Sequence, residues 1–150
     1  MPRSRPAIRF EWLARERLLV FCQSGLEPSA EEWKAYVDTL MRVTATPIRC
    51  FAYSDGGRPT RKQQDAVMSL PGFGDWPIAM VSPSPGIRFM ASTVALHTSK
   101  FQLFSPSELD EAYLHLGATP EEIGVIEDCV QRLRDQLYEG TVTPPLRSAR

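Results

Sequence analysis

The chain has 150 residues, 43% of them hydrophobic, which suits one domain around one core and leaves no room to expect two. Lys and Arg number 17 against 18 Asp and Glu, so the formal charge of −1 excludes any broad electrostatic grip on nucleic acid or an anionic membrane. Three cysteines, Cys22, Cys50 and Cys129, are odd in number and far apart, which speaks against a disulfide framework or a CxxC clamp and for reduced, buried thiols.

The basic start of the chain runs into Ile8-Arg9-Phe10-Glu11-Trp12, which interrupts the apolar core a secretory signal needs. No stretch reaches membrane-spanning length, so a cytoplasmic protein is expected. Residues 1–7 read as a tail, 8–140 as the domain, and the Pro-containing 141–150 as a loose second tail.

Residues 8–13 alternate in part, and the run 17–22 is apolar from Leu18 onward after the polar Ala14-Arg15-Glu16, so the two runs predict a hairpin. Ser29 stands three residues before Glu32, the spacing of a capping box, and opens a helix whose apolar face is Trp33, Tyr36, Val37, Leu40 and Met41. Residues 47–53 form the next strand, and Ser54-Asp55-Gly56-Gly57-Arg58-Pro59 the loop leaving it. A short helix starts at Thr60 with Gln63 completing the cap; Ala66, Val67 and Leu70 are its apolar face, and Pro71-Gly72 ends it.

Residues 76–81 read as a buried strand, with Pro77 tolerable at its beginning. Ser84 as cap and Pro85 in the first turn then open a helix with Ile87, Met90, Ala91, Val94 and Ala95 facing inward. Residues 101–104 form the last strand. Ser105, Pro106 and Glu108 restart a helix whose buried stripe is Leu109, Ala112, Tyr113 and Leu116, with Gly117 as a left-handed terminator. Thr119-Pro120-Glu121-Glu122 opens the final helix, with Ile123, Ile126, Val130, Leu133 and Leu137 along one side and Gly140 after it. A hairpin followed by alternating strands and helices predicts an α/β domain with a mixed or largely parallel sheet covered by helices.

From Phe101 to Gly117, the order strand, Ser-Pro-x-Glu, then Leu-Asp-Glu-Ala-Tyr-Leu-His-Leu-Gly resembles the final strand and helix of STAS domains, the family of anti-sigma-factor antagonists. The hairpin, the helix around Trp33 and the strand ending at Tyr53 fall in a compatible order, so the resemblance spans residues 8–117 and leaves the last helix as an addition. It implies a STAS-like fold and a non-enzymatic regulatory or scaffolding module that binds a protein. In some members a hydroxyl is phosphorylated in the loop entering the second helix. The corresponding stretch here is Ser54, Asp55, Gly56, Gly57 and Thr60, but the family's Asp followed by Ser or Thr is replaced by Ser before Asp and two glycines.

These residues also have plain structural roles, Thr60 as a cap and 54–57 as a turn. Ser84 and Gly86 flank a helix start able to meet an anion through backbone amides, although Pro85 removes one donor and neither a P-loop Lys-Ser/Thr pair nor a GxGxxG spacing occurs. No cofactor is therefore expected. Two histidines, His97 and His115, are too few for a histidine metal site. Trp76, in the connection Phe73-Gly74-Asp75-Trp76, is a candidate exposed aromatic anchor for a protein partner. Two alternatives stand beside the protein-binding module. One is a small anion- or phosphate-binding domain that requires the 54–60 and 84–86 segments to share a concave pocket; the other is a homodimer built on the last helix.

Overall fold

The expected hairpin is formed by β1 (Ile8–Leu13) and β2 (Leu18–Gln23), antiparallel with Leu13 opposite Leu18. Arg17 takes a positive φ of 52° to close its turn. This computed structural model describes residues 5–139 and 143–146. β3 (Arg49–Ser54), β4 (Ile78–Val81) and β5 (Phe101–Phe104) join β2 in parallel, giving a mixed five-stranded sheet in the order β1-β2-β3-β4-β5. Both middle strands start later than the apolar runs suggest, at Arg49 and Ile78. Pro47 and Pro77 have no N–H to place in a ladder.

Parallel neighbours need crossovers, and these are α1 (Ala30–Val43), α2 (Arg61–Met68) and α3 (Pro85–Ala95). Because successive strands sit side by side and crossovers share one hand, all three helices lie on one face of the sheet. Strand alternation sends Leu19, Phe21, Cys50, Ala52 and Ile78 toward them. The opposite set, including Leu18, Val20, Cys22, Phe51, Tyr53, Ala79 and Val81, packs against α4 (Leu109–Leu116) and α5 (Pro120–Leu137). The result is one α/β domain of three layers with an apolar core on each side of the sheet.

Helix starts follow their caps. Ser29 with Glu32, Thr60 with Gln63 and Thr119 with Glu122 each form the reciprocal pair that satisfies two orphan backbone donors. Ser105 and Glu108 do the same around a short 3-10 turn, Pro106–Glu108, before α4, and Gly117 ends α4 at φ 65°. Glu32 reaches further than its cap, accepting the N–H groups of Ala7 at 2.9 Å and Ile8 at 3.3 Å, which ties the start of the sheet to α1.

Several expectations are corrected. Met41 is 58% exposed, and Ala66 and Ala95 also face outward, because each lies past the edge of its helix's buried arc. Ser84 occupies the N-cap position of α3 but its side chain makes no cap bond; its own N–H is taken up by Ser82 Oγ at 3.1 Å. Trp76 is 4% exposed and packs edge-on to Phe73 at 5.5 Å between ring centroids, so the connection preceding β4 buries its aromatics and offers no exposed anchor there. Three residues placed in the tails are buried: Ala7, and Thr143 and Leu146 beside α5. Thr143 is held by Gln131 Nε2 and by Asp135 Oδ1, each at 2.8 Å. Gly140 lies outside the described residues.

Candidate functional site

Parallel strands aim their carboxyl ends the same way, so the segments after β2, β3, β4 and β5 share one edge, the usual place for binding in open α/β sheets. Here β2 to β5 follow each other in order, and the edge is closed by loop packing after β2, β3 and β4, opening only where the chain turns to α3 on one face after β4 and to α4 on the other after β5. Ser54 is the centre of that packing. Only 1% exposed, its hydroxyl donates to Gly57 O at 2.6 Å and accepts the Gly56 N–H at 3.1 Å. Ser82 Oγ donates to Ser54 O at 2.6 Å, joining the ends of β3 and β4, and Gly57 N–H donates to Ser24 O at 2.9 Å, joining β2.

The two glycines are required by different causes. Gly56 has φ 138°, which side-chain-bearing residues rarely adopt, and lies against the Ser84 side chain. A Cβ on Gly57 would fall 2.4 Å from both Leu26 O and Ser24 O, so the close approach of the loop to β2's end admits no side chain. Arg58 Nη1 donates to Gly86 O at 3.4 Å. Ser54, Asp55, Gly56, Gly57, Ser84 and Gly86 are therefore brought to one edge. Thr60 stands behind it at the start of α2, its hydroxyl accepting the Gln63 N–H at 3.1 Å. Trp76 precedes β4 and belongs to the other end of the sheet.

Asp55 is held from the far end of the chain. Tyr138 donates its phenolic O–H to Asp55 Oδ2, and Arg134 Nη2 donates to Oδ1 at 3.3 Å. The Arg134 guanidinium is buried, lies 4.8 Å over the Tyr53 ring, and donates from Nη1 to Pro144 O at 3.2 Å, while its Nε finds no hydrogen-bond partner among the described residues. Burial, then the bond to Asp55, pushes the Tyr138 phenol above its usual range; burial, then the Asp55 charge, does the same to Tyr53. This cluster escapes sequence reading because its partners are 79 and 83 residues apart. Its one local signal is a charged residue, Arg134, beside Leu133 within the buried arc of α5.

Next to Ser84 runs a groove of about 680 Å³ between the 82–85 segment and the 105–108 turn, with Arg88 on its wall. None of Ser54, Asp55, Gly56, Gly57 or Thr60 lines it, so this groove is not the pocket that the 54–60 and 84–86 segments were expected to share. The three thiols are buried, and burial holds Cys50 and Cys129 protonated, each pushed up to about 12. Among the described residues no group of three His, Cys, Asp or Glu side chains is gathered as a metal site. His115 Nε2 lies 2.7 Å from Lys100 O. No helix among the described residues is long and apolar enough to cross a membrane.

No protein-family model matches the chain, and no curated protein and no solved structure matches it either.

Proposed function

We propose that the chain is a regulatory or scaffolding protein-interaction module with a STAS-like fold, and that it binds its partner on the loop edge formed after β2, β3 and β4. The observation that carries this reading is the stitching of the 54–57 loop by Ser54, Ser82 and Gly57 into a fixed backbone shape, flanked by the exposed side chains of Leu26 and Arg58. A pre-ordered loop loses little freedom on docking, which favours protein recognition by shape. The hydroxyls of Ser54 and Thr60 are already committed to the loop and the α2 cap, which supports recognition over chemistry at those positions. The STAS-like reading rests on the initial hairpin, the sequential strand order and the Ser105-Pro106 restart before α4.

The deciding experiment is cross-linking and affinity capture from cell extract, with the wild-type chain beside a Leu26→Asp/Arg58→Glu double variant. A partner retained by the first and lost by the second supports the reading. Equal retention by both, or no specific partner together with turnover in an unbiased substrate screen, overturns it.

A second reading, a site for a small anion, is favoured by the groove beside Ser84, which Arg88, Ser105 and Ser107 line and where the Glu108 carboxylate, also on its wall, competes for Arg88. Inorganic phosphate raising the unfolding temperature of the wild type, but not of Arg88→Gln, supports it. The homodimer on the last helix has less to stand on, because Ile126, Val130, Leu133 and Leu137 are consumed in packing on the chain's own sheet.

A further inference from the structure

We propose that the sheet face beneath α2 is a binding site for one small uncharged apolar molecule, a single ring or a short hydrocarbon chain. The site is separate from the loop edge and does not depend on its reading. Its floor is the middle strand: β2 presents Phe21, β4 presents Ile78 and Met80, and β5 presents Phe101, whereas β3 presents only Cys50 and Ala52. The sheet face is therefore lowest at its centre, where a covering helix would have to reach deepest.

α2 does not reach. Its eight residues are mostly polar and none is buried; Val67 and Met68 touch the core only as half-buried side chains. The neighbours on either side do seat themselves, α1 through Trp33, Tyr36 and Leu40 and α3 through Ile87, Met90, Ala91 and Val94. The difference leaves a half-open apolar pocket of about 90 Å³ between Cys50 and Ala52 below, Val67 and Met68 above, and side chains of α1 and α3 with Phe73 and Trp76 at its sides. An ordered water needs two to four polar partners, and the lining is mostly apolar: its polar groups are Gln23, whose Nε2 donates to Leu26 O at 3.0 Å, Gln64 on the lid helix, the Tyr36 hydroxyl and the Trp76 indole N–H. A closed apolar cavity of about 150 Å³ stays dry and admits benzene or xenon, so this pocket takes a ring only if its walls give.

The lid is tied by hydrogen bonds at its start and by the buried Phe73 and Trp76 beyond its end, so only its body is loosely seated. Trp33 Nε1 donates to Gln63 O at 2.8 Å, Gln63 Nε2 donates to Pro28 O at 3.0 Å, and Thr60 caps the first turn, so the start of α2 is fixed while its body rests on no buried side chain. Met68, Met80 and Met90 line the space and can change rotamer at low cost, which lets it widen to fit a ring.

The test is a benzene titration of the whole chain labelled at its methionine methyls. Saturable shifts at Met68, Met80 and Met90, none at the exposed Met41, and their loss in Ala52→Leu, which fills the floor, are expected. Val67→Phe fills the same space from the lid and serves if Ala52→Leu does not fold. No saturable movement up to the aqueous solubility of benzene, equal movement at Met41, or undiminished shifts in the filled variants overturns the proposal.

Discussion

Tyr138 donates its phenolic hydrogen to Asp55 at 2.5 Å, joining the end of the last helix to the loop after β3 across 83 residues. Arg134 completes the tie from the turn below and carries it on to Pro144. Tyr138→Phe removes one charge-assisted bond and is expected to cost about 1–2 kcal/mol in urea unfolding. Arg134→Ala also strips the Tyr53 stacking and leaves Asp55 without its cation, for about 2–4 kcal/mol. Equal losses in the two variants would mean that the guanidinium adds nothing beyond the phenol.

The glycines of the 54–57 loop give a second expectation. Gly57→Ala sets a Cβ against two carbonyl oxygens of fixed backbone, and a loss of about 3 kcal/mol or more is expected because no flexible side chain can yield. Gly56→Ala has room for its methyl but not the conformation, and about 1–3 kcal/mol is expected. Urea midpoints that rank the two the other way would contradict the geometry.

Acid stability follows from two carboxylates. The bond from Arg49 holds Glu122 below its ordinary range; for Glu32, burial pushes upward but is outweighed by the backbone amides of Ser29, Ala7 and Ile8, so it too titrates low. A carboxylate lowered on folding contributes stability that is present above its unfolded value, about 4.3, and lost as pH falls through the folded value. The urea midpoint should therefore fall below about pH 4.3 in the wild type and fall less steeply in Glu122→Gln and Glu32→Gln. At pH 7, Glu122→Gln should cost about 2 kcal/mol, since Arg49 Nη2 loses a charged acceptor at 2.6 Å while Gln can still accept the Thr119 N–H. An unchanged acid limb in both variants would remove the assignment.

The thiols make a kinetic prediction. Cys22, Cys50 and Cys129 are buried and burial raises all three, so an aromatic disulfide reagent at pH 8 should react with none of them on the timescale of minutes and with all three in denaturant. Prompt reaction of one thiol in the native protein would show that its layer opens.

What the amino acids disclose in advance is local. The capping pairs at Ser29, Thr60, Ser105 and Thr119 are legible because both members lie within four residues, and the strands because their apolar runs are bounded by turn residues. Ser84 looks like a cap by the same logic, yet its side chain makes no cap bond, an outcome that spacing alone does not decide. Trp76 sits among Gly and Asp, as a loop residue would, and is buried only because Phe73 and the α3 side of the sheet close over it. The Asp55 tie and the cavity under α2 depend on which elements meet, and no window of sequence contains both sides of either.

β3 belongs to both cores at once. Cys50 and Ala52 are the cavity floor, Phe51 and Tyr53 face the other layer, and the strand runs directly into Asp55. Any guest that presses on Ala52 thus bears on the same short rod that carries Tyr53 under the Arg134 guanidinium. One four-residue stretch, Cys50 to Tyr53, thus serves as the wall of both cores, so a substitution there is read by the layer it faces and by the strand that both layers share.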